Sequence, residues 1–134
     1  MRQRIESPHA RAYTITGERL ASGRRMAERT RDWMEANGPA FFEIAGYVKA
    51  MQGRGCGRVR DRVAAFCVDR GIDVGGEYAF DNTLWAGISR YAALFDPSLV
   101  GDPLRFRDSD IDCYGLLPVS YLPDLEPGEK PDGR

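Results

Sequence analysis

The sequence predicts a single, mainly helical domain with a small β element, on three observations. Apolar residues recur near a 3.6-residue period through four stretches of the first 95 residues. Glycine, proline or asparagine marks the ends of these stretches. The β-capable runs are short and few, and the longest apolar run, Val63–Val68, falls well below the roughly 20 residues of a membrane helix.

Residues 1–16 read as a polar, irregular arm that carries Pro8 and the only histidine, His9. From Gly17 the pattern turns helical: Leu20, Met26, Ala27, Thr30, Trp33, Met34 and Asn37 keep the period, with arginines between them. Asn37-Gly38 ends this helix, and Pro39 suits the first position of the next. The second helix runs to about Gln52 on a stripe of Phe41, Ile44, Ala45, Val48 and Met51. The run Gly53-Arg-Gly-Cys-Gly57 breaks it. A third helix, about Arg58 to Arg70, turns Val59, Val63, Phe66 and Cys67 inward, with Gly71 as its cap. Ile72–Val74 and Glu77–Phe80 flank Gly75-Gly76 and read as a hairpin or wing. The fourth helix, Thr83–Phe95, carries Leu84, Ile88, Tyr91 and Phe95, and Asp96-Pro97 stops it. Leu104–Arg107 and Val119–Leu122 are short strand candidates, and the domain closes at residue 122 before an acidic, Pro/Gly-rich tail, 123–134.

Composition narrows the function. The 134 residues fit one ordinary domain, and 29% charged residues suit a solvated surface. No secretory leader is expected, since no apolar run follows the charges of residues 1–6, and three widely spaced cysteines without a C-x-x-C pair fit a reducing cytoplasm. The net charge of −1 conceals a split: residues 1–70 carry 14 basic and 8 acidic residues, and residues 71–134 carry 5 and 12. Such a split marks an anion-binding half in some proteins and simple charge scatter in others.

The candidate chemistry is mostly excluded. Gly53-x-Gly55-x-Gly57 follows a helix rather than a strand, and no lysine follows it, so neither a dinucleotide turn nor a P-loop is present. Asp108-Ser-Asp110-Ile-Asp112 has the spacing that opens a calcium loop, but Cys113 and Val119 stand where glycine and glutamate belong. It reads as a solvated acidic edge. Nucleophilic catalysis would need His9 as base beside Cys56, Cys67 or Cys113, and metal hydrolysis lacks histidine ligands. A non-enzyme with no cofactor and no metal is expected.

Nucleic acid remains. Helix, glycine-rich turn, helix is the order of a helix-turn-helix, and residues 72–80 lie where a winged helix has its wing. Arg54, Arg58, Arg60 and Arg62 are the candidate contacts, set around a helix N-terminus suited to phosphate. A rival placement reads with the fourth helix, through Asn82, Thr83, Ser89 and Arg90.

The stretch Tyr78-Ala-Phe80-Asp-Asn82, a helix holding Arg90, and Pro97-x-Leu99-x-Gly101 resembles small uncharacterised proteins encoded by phages and prophages. The upstream Trp33…Asn37-Gly38-Pro39 fits their N-terminal half, so the resemblance spans about residues 30–107. It implies a compact helical domain of phage origin and supplies no activity. The chain departs from that pattern at Asp81, and Arg107–Asp112 lacks the basic close of those proteins.

The leading expectation is therefore a non-catalytic accessory protein, of phage or mobile-element type, that binds duplex DNA through residues 54–62. The alternative is a protein-binding module acting on a host defence or regulatory protein. It would use the acidic C-terminal half, with Trp85, Tyr91, Asp108, Asp110 and Asp112 as contacts. A third reading is a metal-dependent enzyme using the three aspartates. No membrane partner is expected.

Overall fold

The structure is a computed structural model. It describes the backbone of residues 2–6, 12–74 and 82–117, and the side chains of 16–74 and 83–117. The described chain is mainly helical, and it divides into two compact units.

The first unit holds the chain up to Ala27 and from Phe106 onward. Here β1 (Arg2–Glu6) pairs antiparallel with β2 (Ala12–Thr16), Arg2 opposite Thr16 and Ile5 opposite Tyr13. The expected irregular arm thus contains a hairpin. Its strands lack a clean apolar alternation, but the ladder is made by backbone groups, and Tyr-Thr-Ile-Thr is β-prone. Helix α1 (Gly17–Ala36) follows without a break. Thr16 caps it, accepting a hydrogen bond from the Arg19 N–H at 3.1 Å.

Against the start of α1 lies a short 3-10 turn, Asp110–Tyr114. Ser109 and Asp112 form a capping box at its head, and Gly115 closes it in the left-handed region at φ 77°. The approach to α1 is close. A Cβ on Gly23 would lie 2.9 Å from the Asp110 carbonyl carbon and 3.3 Å from Ile111 Cα, which makes glycine obligatory there.

The second unit, Glu28–Arg105, contains the rest of α1 with α2 (Gly38–Met51), α3 (Val59–Arg70) and α4 (Asn82–Phe95). Asn37 alone links α1 to α2. Its side chain donates to the Trp33 carbonyl at 3.0 Å, and Pro39 sets the first turn of α2. The Trp33 indole N–H donates to the Asp73 carbonyl at 2.6 Å, tying the end of α1 to the chain that leaves α3. The core is built from Phe41, Ile44 and Val48 of α2, Val63 and Cys67 of α3, and Leu84, Ile88 and Ala92 of α4, joined by Leu99 and Leu104.

Helix α4 is buried on most of its circumference, unlike the one-sided helix its stripe suggests. Gly87 allows this on the α1 side. A Cβ there would lie 2.7 Å from Thr30 Cβ and 2.9 Å from Thr30 Cγ2, and Thr30 is itself fully buried.

Two β expectations change. Residues 72–74 form no strand, and the remainder of the proposed wing, 75–80, lies outside the described residues, as do Val119–Leu122 and the tail. Leu104 makes only an isolated bridge to Val100 instead of a strand over 104–107.

Candidate partner groove and the arginine-bearing helix

The glycine turn between α2 and α3 occupies residues 52–58, longer than the three or four residues of a helix-turn-helix. It is held rather than loose. The Gln52 side-chain amide donates to the carbonyls of Ser98 at 2.7 Å and Asp102 at 3.1 Å. The Gly53 N–H donates to the Asp102 carboxylate at 2.9 Å. Lys49 Nζ adds a bond to Ser98 Oγ at 2.9 Å. Gly53 and Gly55 take positive φ of 79° and 64°, the conformations that glycine adopts at least cost.

Arg54, Arg58, Arg60 and Arg62 are all exposed, but they do not form one face. Arg58 caps α3 in the left-handed region, at φ 54°. Arg60 and Arg62 stand two residues apart, about 200° around the helix, so they leave on opposite flanks. Arg60 lies 3.7 Å from Asp61, and Arg62 Nε donates back to the Gly57 carbonyl at 2.9 Å. A residue the sequence reading missed continues the Arg62 row. At four-residue spacing come Phe66 and Arg70. Arg70 sits over the Phe66 ring at 5.0 Å and pairs with Glu43 at 2.9 Å, while Tyr47 stacks on Phe66 at 4.4 Å.

Burial removes two of the four residues of the rival reading helix, Ser89 and Arg90. Ser89 and Arg90 are each only 3% exposed, and both donate to the Ala86 carbonyl within α4. The apolar stripe of α4 marks one buried face and is silent on the opposite one, where these two residues lie.

The acidic run is not a solvated edge. Arg19 reaches it from α1 with two contacts of 2.7 Å, Nη2 to Asp108 and Nε to Asp110. The Asp108 side chain is 5% exposed, and Asp112 is buried as the capping-box acid of the 3-10 turn. Burial pushes the Asp108 carboxyl above its ordinary range, against the pull of Arg19, and its Oδ1 has no hydrogen-bond partner among the described residues. Burial also tends to lower the Arg19 pKa, but Asp110 and Asp108 more than offset it and hold the guanidinium charged. A guanidinium thus occupies the position a metal reading would assign to a cation, and neither Asp108 nor Asp112 is presented to a partner. Among the described residues no group of three or more His, Cys, Asp or Glu is placed to hold a metal ion.

Trp85 and Tyr91, expected on an exposed face, are half-buried. The exposed apolar surface lies next to Tyr91 instead. Phe41, Phe42 and Phe95 pack edge to face, with centroids 5.4, 6.2 and 5.3 Å apart. Phe41 belongs to the core. Phe42 is 56% and Phe95 59% exposed, with Leu94 beside them at 42%. With Met34, Gly38 and Tyr91 they line an open groove of about 470 Å³. A signal for it was present. Phe42 falls off the buried stripe of α2, and Leu94-Phe95 puts two large apolar residues side by side at the end of α4.

Among the described residues no helix is long and apolar enough to cross a membrane. Comparison with known proteins finds no match to a family model, to a curated protein or to a solved structure.

Proposed function

We propose that this protein is a non-catalytic binding module that takes an apolar segment of a protein partner into the groove between α2 and α4. The observation that carries the reading is the exposure of Phe42 and Phe95, each more than half open to solvent while touching the other. Scattered surface phenylalanines are ordinary, but contiguous ones rimming a concavity mark a docking surface. The groove suits a protein segment better than a small metabolite, because Tyr91 is its only side chain with a polar group, whereas metabolite sites need several convergent polar groups. An accessory role needs no more than such a surface. The partner would be a host defence or regulatory protein met in the cytoplasm.

The test is comparative co-purification of the wild type and a Phe42→Ser/Phe95→Ser variant of matched melting temperature. A protein retained by the first and lost by the second supports the reading. Identical partner sets would remove the groove from consideration.

One observation favours duplex DNA as a second reading. Arg54, Arg58 and Arg62 are exposed around the open N-terminus of α3, and Arg70 lengthens their row. It ranks second because the turn is long for a helix-turn-helix, and Arg62 and Arg70 already have partners within the chain. On this reading Arg58→Ala and Arg62→Ala weaken binding about equally on all sequences and lower the salt slope by about one each. Absence of any DNA affinity at low salt would end it.

A further inference from the structure

We propose that the glycine turn between α2 and α3 is a cleavage site for an arginine-directed serine endoprotease, cut after Arg58 into two chains that stay folded together. Such an enzyme binds its substrate as an extended strand and seats an arginine in a pocket with a carboxylate at its base. A folded protein is nicked where the chain can take that shape at low cost, and exposed loops of small residues meet the need. Residues 52–58 are non-helical and none of them is buried. No acid lies between Gln52 and Arg60 to oppose the carboxylate of such a pocket. The stretch leading to the bond is Gly55-Cys56-Gly57-Arg58, and the N–H groups of Cys56, Gly57 and Arg58 have no hydrogen bond among the described residues. Arg58 is exposed and stands at φ 54°, a costly conformation for any residue but glycine, so extension relieves strain there. Beyond the bond, α3 begins without a side-chain cap, and such an end frays. Two bonds oppose the opening, both made by the exposed Arg62: its N–H to the Arg58 carbonyl at 3.0 Å and its Nε to the Gly57 carbonyl at 2.9 Å.

The other arginines of the described side chains are worse placed. Those within α1, α3 and α4 have their main chain closed by the helical ladder. Arg105 follows Pro103 and Leu104, both buried, and Arg107 precedes Asp108, which Arg19 holds at 2.7 Å. Arg54 shares the turn, but the residues before it are tied down. Gln52 donates to the carbonyls of Ser98 and Asp102, and the Gly53 N–H donates to the Asp102 carboxylate. Hydrolysis adds one water across the Arg58–Val59 peptide bond, leaving Arg58 with a terminal carboxylate and Val59 with a terminal ammonium group. The products stay together because contacts cross the nick. Tyr47 stacks on Phe66 at 4.4 Å, Glu43 pairs with Arg70 at 2.9 Å, and the Trp33 indole N–H reaches the Asp73 carbonyl at 2.6 Å. Ile44 and Val48 lie on one side of the nick and Val63 and Ile88 on the other, in the same core.

The test is limited digestion of the full native chain with trypsin, followed by intact mass. Trimming at either end is told apart by mass, and the first cut within residues 16–117 is the readout. It is expected between Arg58 and Val59, with two fragments that co-elute in gel filtration and separate in urea. Arg58→Gln should move that cut to Arg54 and slow it about tenfold, because the bonds of Gln52 and Gly53 must then open. Adding Asp102→Ala removes the acceptor of the Gly53 N–H and should restore about two- to tenfold of the rate, the worth of one exposed hydrogen bond. Both residues are exposed, so both variants should keep the wild-type melting temperature, which shows that the digestion reads the turn and not global unfolding. A first cut within α1 or at Arg105 or Arg107 would overturn the proposal. So would an Arg58→Gln chain cut as fast as the wild type, or fragments that part in gel filtration without urea.

Discussion

Gly87→Ala is the sharpest test of the packing. On propensity alone the change would stabilise α4 by about 1 kcal/mol, because glycine inside a helix is costly. The structure reverses that sign. The new methyl would sit 2.7 Å from Thr30 Cβ and 2.9 Å from Cγ2, and nearer still to Oγ1, all of them buried on α1. Backbone or rotamer shifts that relieve such overpacking cost about 1–3 kcal/mol for a single contact, and three crowded atoms put this site at or above the top of that range. The net loss is about 2–3 kcal/mol. For 134 residues at about 2.1 cal/mol/K each, the unfolding entropy is about 0.28 kcal/mol/K, so the midpoint should fall by about 7–11 °C in a circular-dichroism melt. Thr30→Gly removes all three clashing atoms and should recover part of the loss in the Gly87→Ala background while destabilising the wild type. A Gly87→Ala protein that melts at or above the wild type would show that α1 and α4 do not meet there.

Further outcomes follow from the other contacts. Arg19→Gln should cost about 1–3 kcal/mol near pH 7, since it leaves Asp108 buried without its cation, and the cost should shrink at acid pH as Asp108 protonates; urea unfolding across pH reads both. Burial raises the Asp108 pKa, so the folded chain holds that proton more tightly than the unfolded one. Its contribution to stability therefore falls as pH rises from near 3.8 through the raised value, and Asp108→Asn should flatten the profile over that window. Phe41→Ala should cost about 3–5 kcal/mol and Phe42→Ala under about 1 kcal/mol, a contrast that calorimetry would reveal as one large and one small shift in Tm. Burial pushes the Cys67 thiol up to about 11, so iodoacetamide at pH 8 should label half-buried Cys56 first and leave Cys67 and Cys113 unreacted in the native protein by mass spectrometry.

The helices were legible because their punctuation is local. Asn37-Gly38-Pro39 marks the break between α1 and α2, and Gly71 closes α3 where expected, with φ 69°. What sequence periodicity does not carry is the identity of distant partners. Nothing around Arg19 says that its guanidinium will find carboxylates 89 and 91 residues later, and Asp108-Ser-Asp-Ile-Asp112 reads as solvated until that cation is placed. A stripe of apolar residues shows one buried face but not whether the opposite face is buried too, which is why Ser89 and Arg90 were set outward. The four arginines of residues 54–62 looked like one cluster because they are neighbours in sequence, whereas helical geometry separates Arg60 from Arg62. The groove was missed for a related reason: the pattern accounts for Phe41, and the surplus of Phe42 was not asked to mean anything.

The Arg19 clasp also bears on the order in which the chain organises itself. The second unit is one continuous segment, Glu28–Arg105, whose side-chain contacts join positions such as Trp33 and Asp73, 40 residues apart, and Lys49 and Ser98, 49 apart. The first unit is assembled from the two flanks of that segment, and its ion pairs join positions about 90 residues apart. Bringing Asp108 and Asp110 to Arg19 closes a longer loop than these, so the clasp carries the larger closure cost. Until that loop closes the start of α1 carries an unspent positive charge, and the 3-10 turn joins it last.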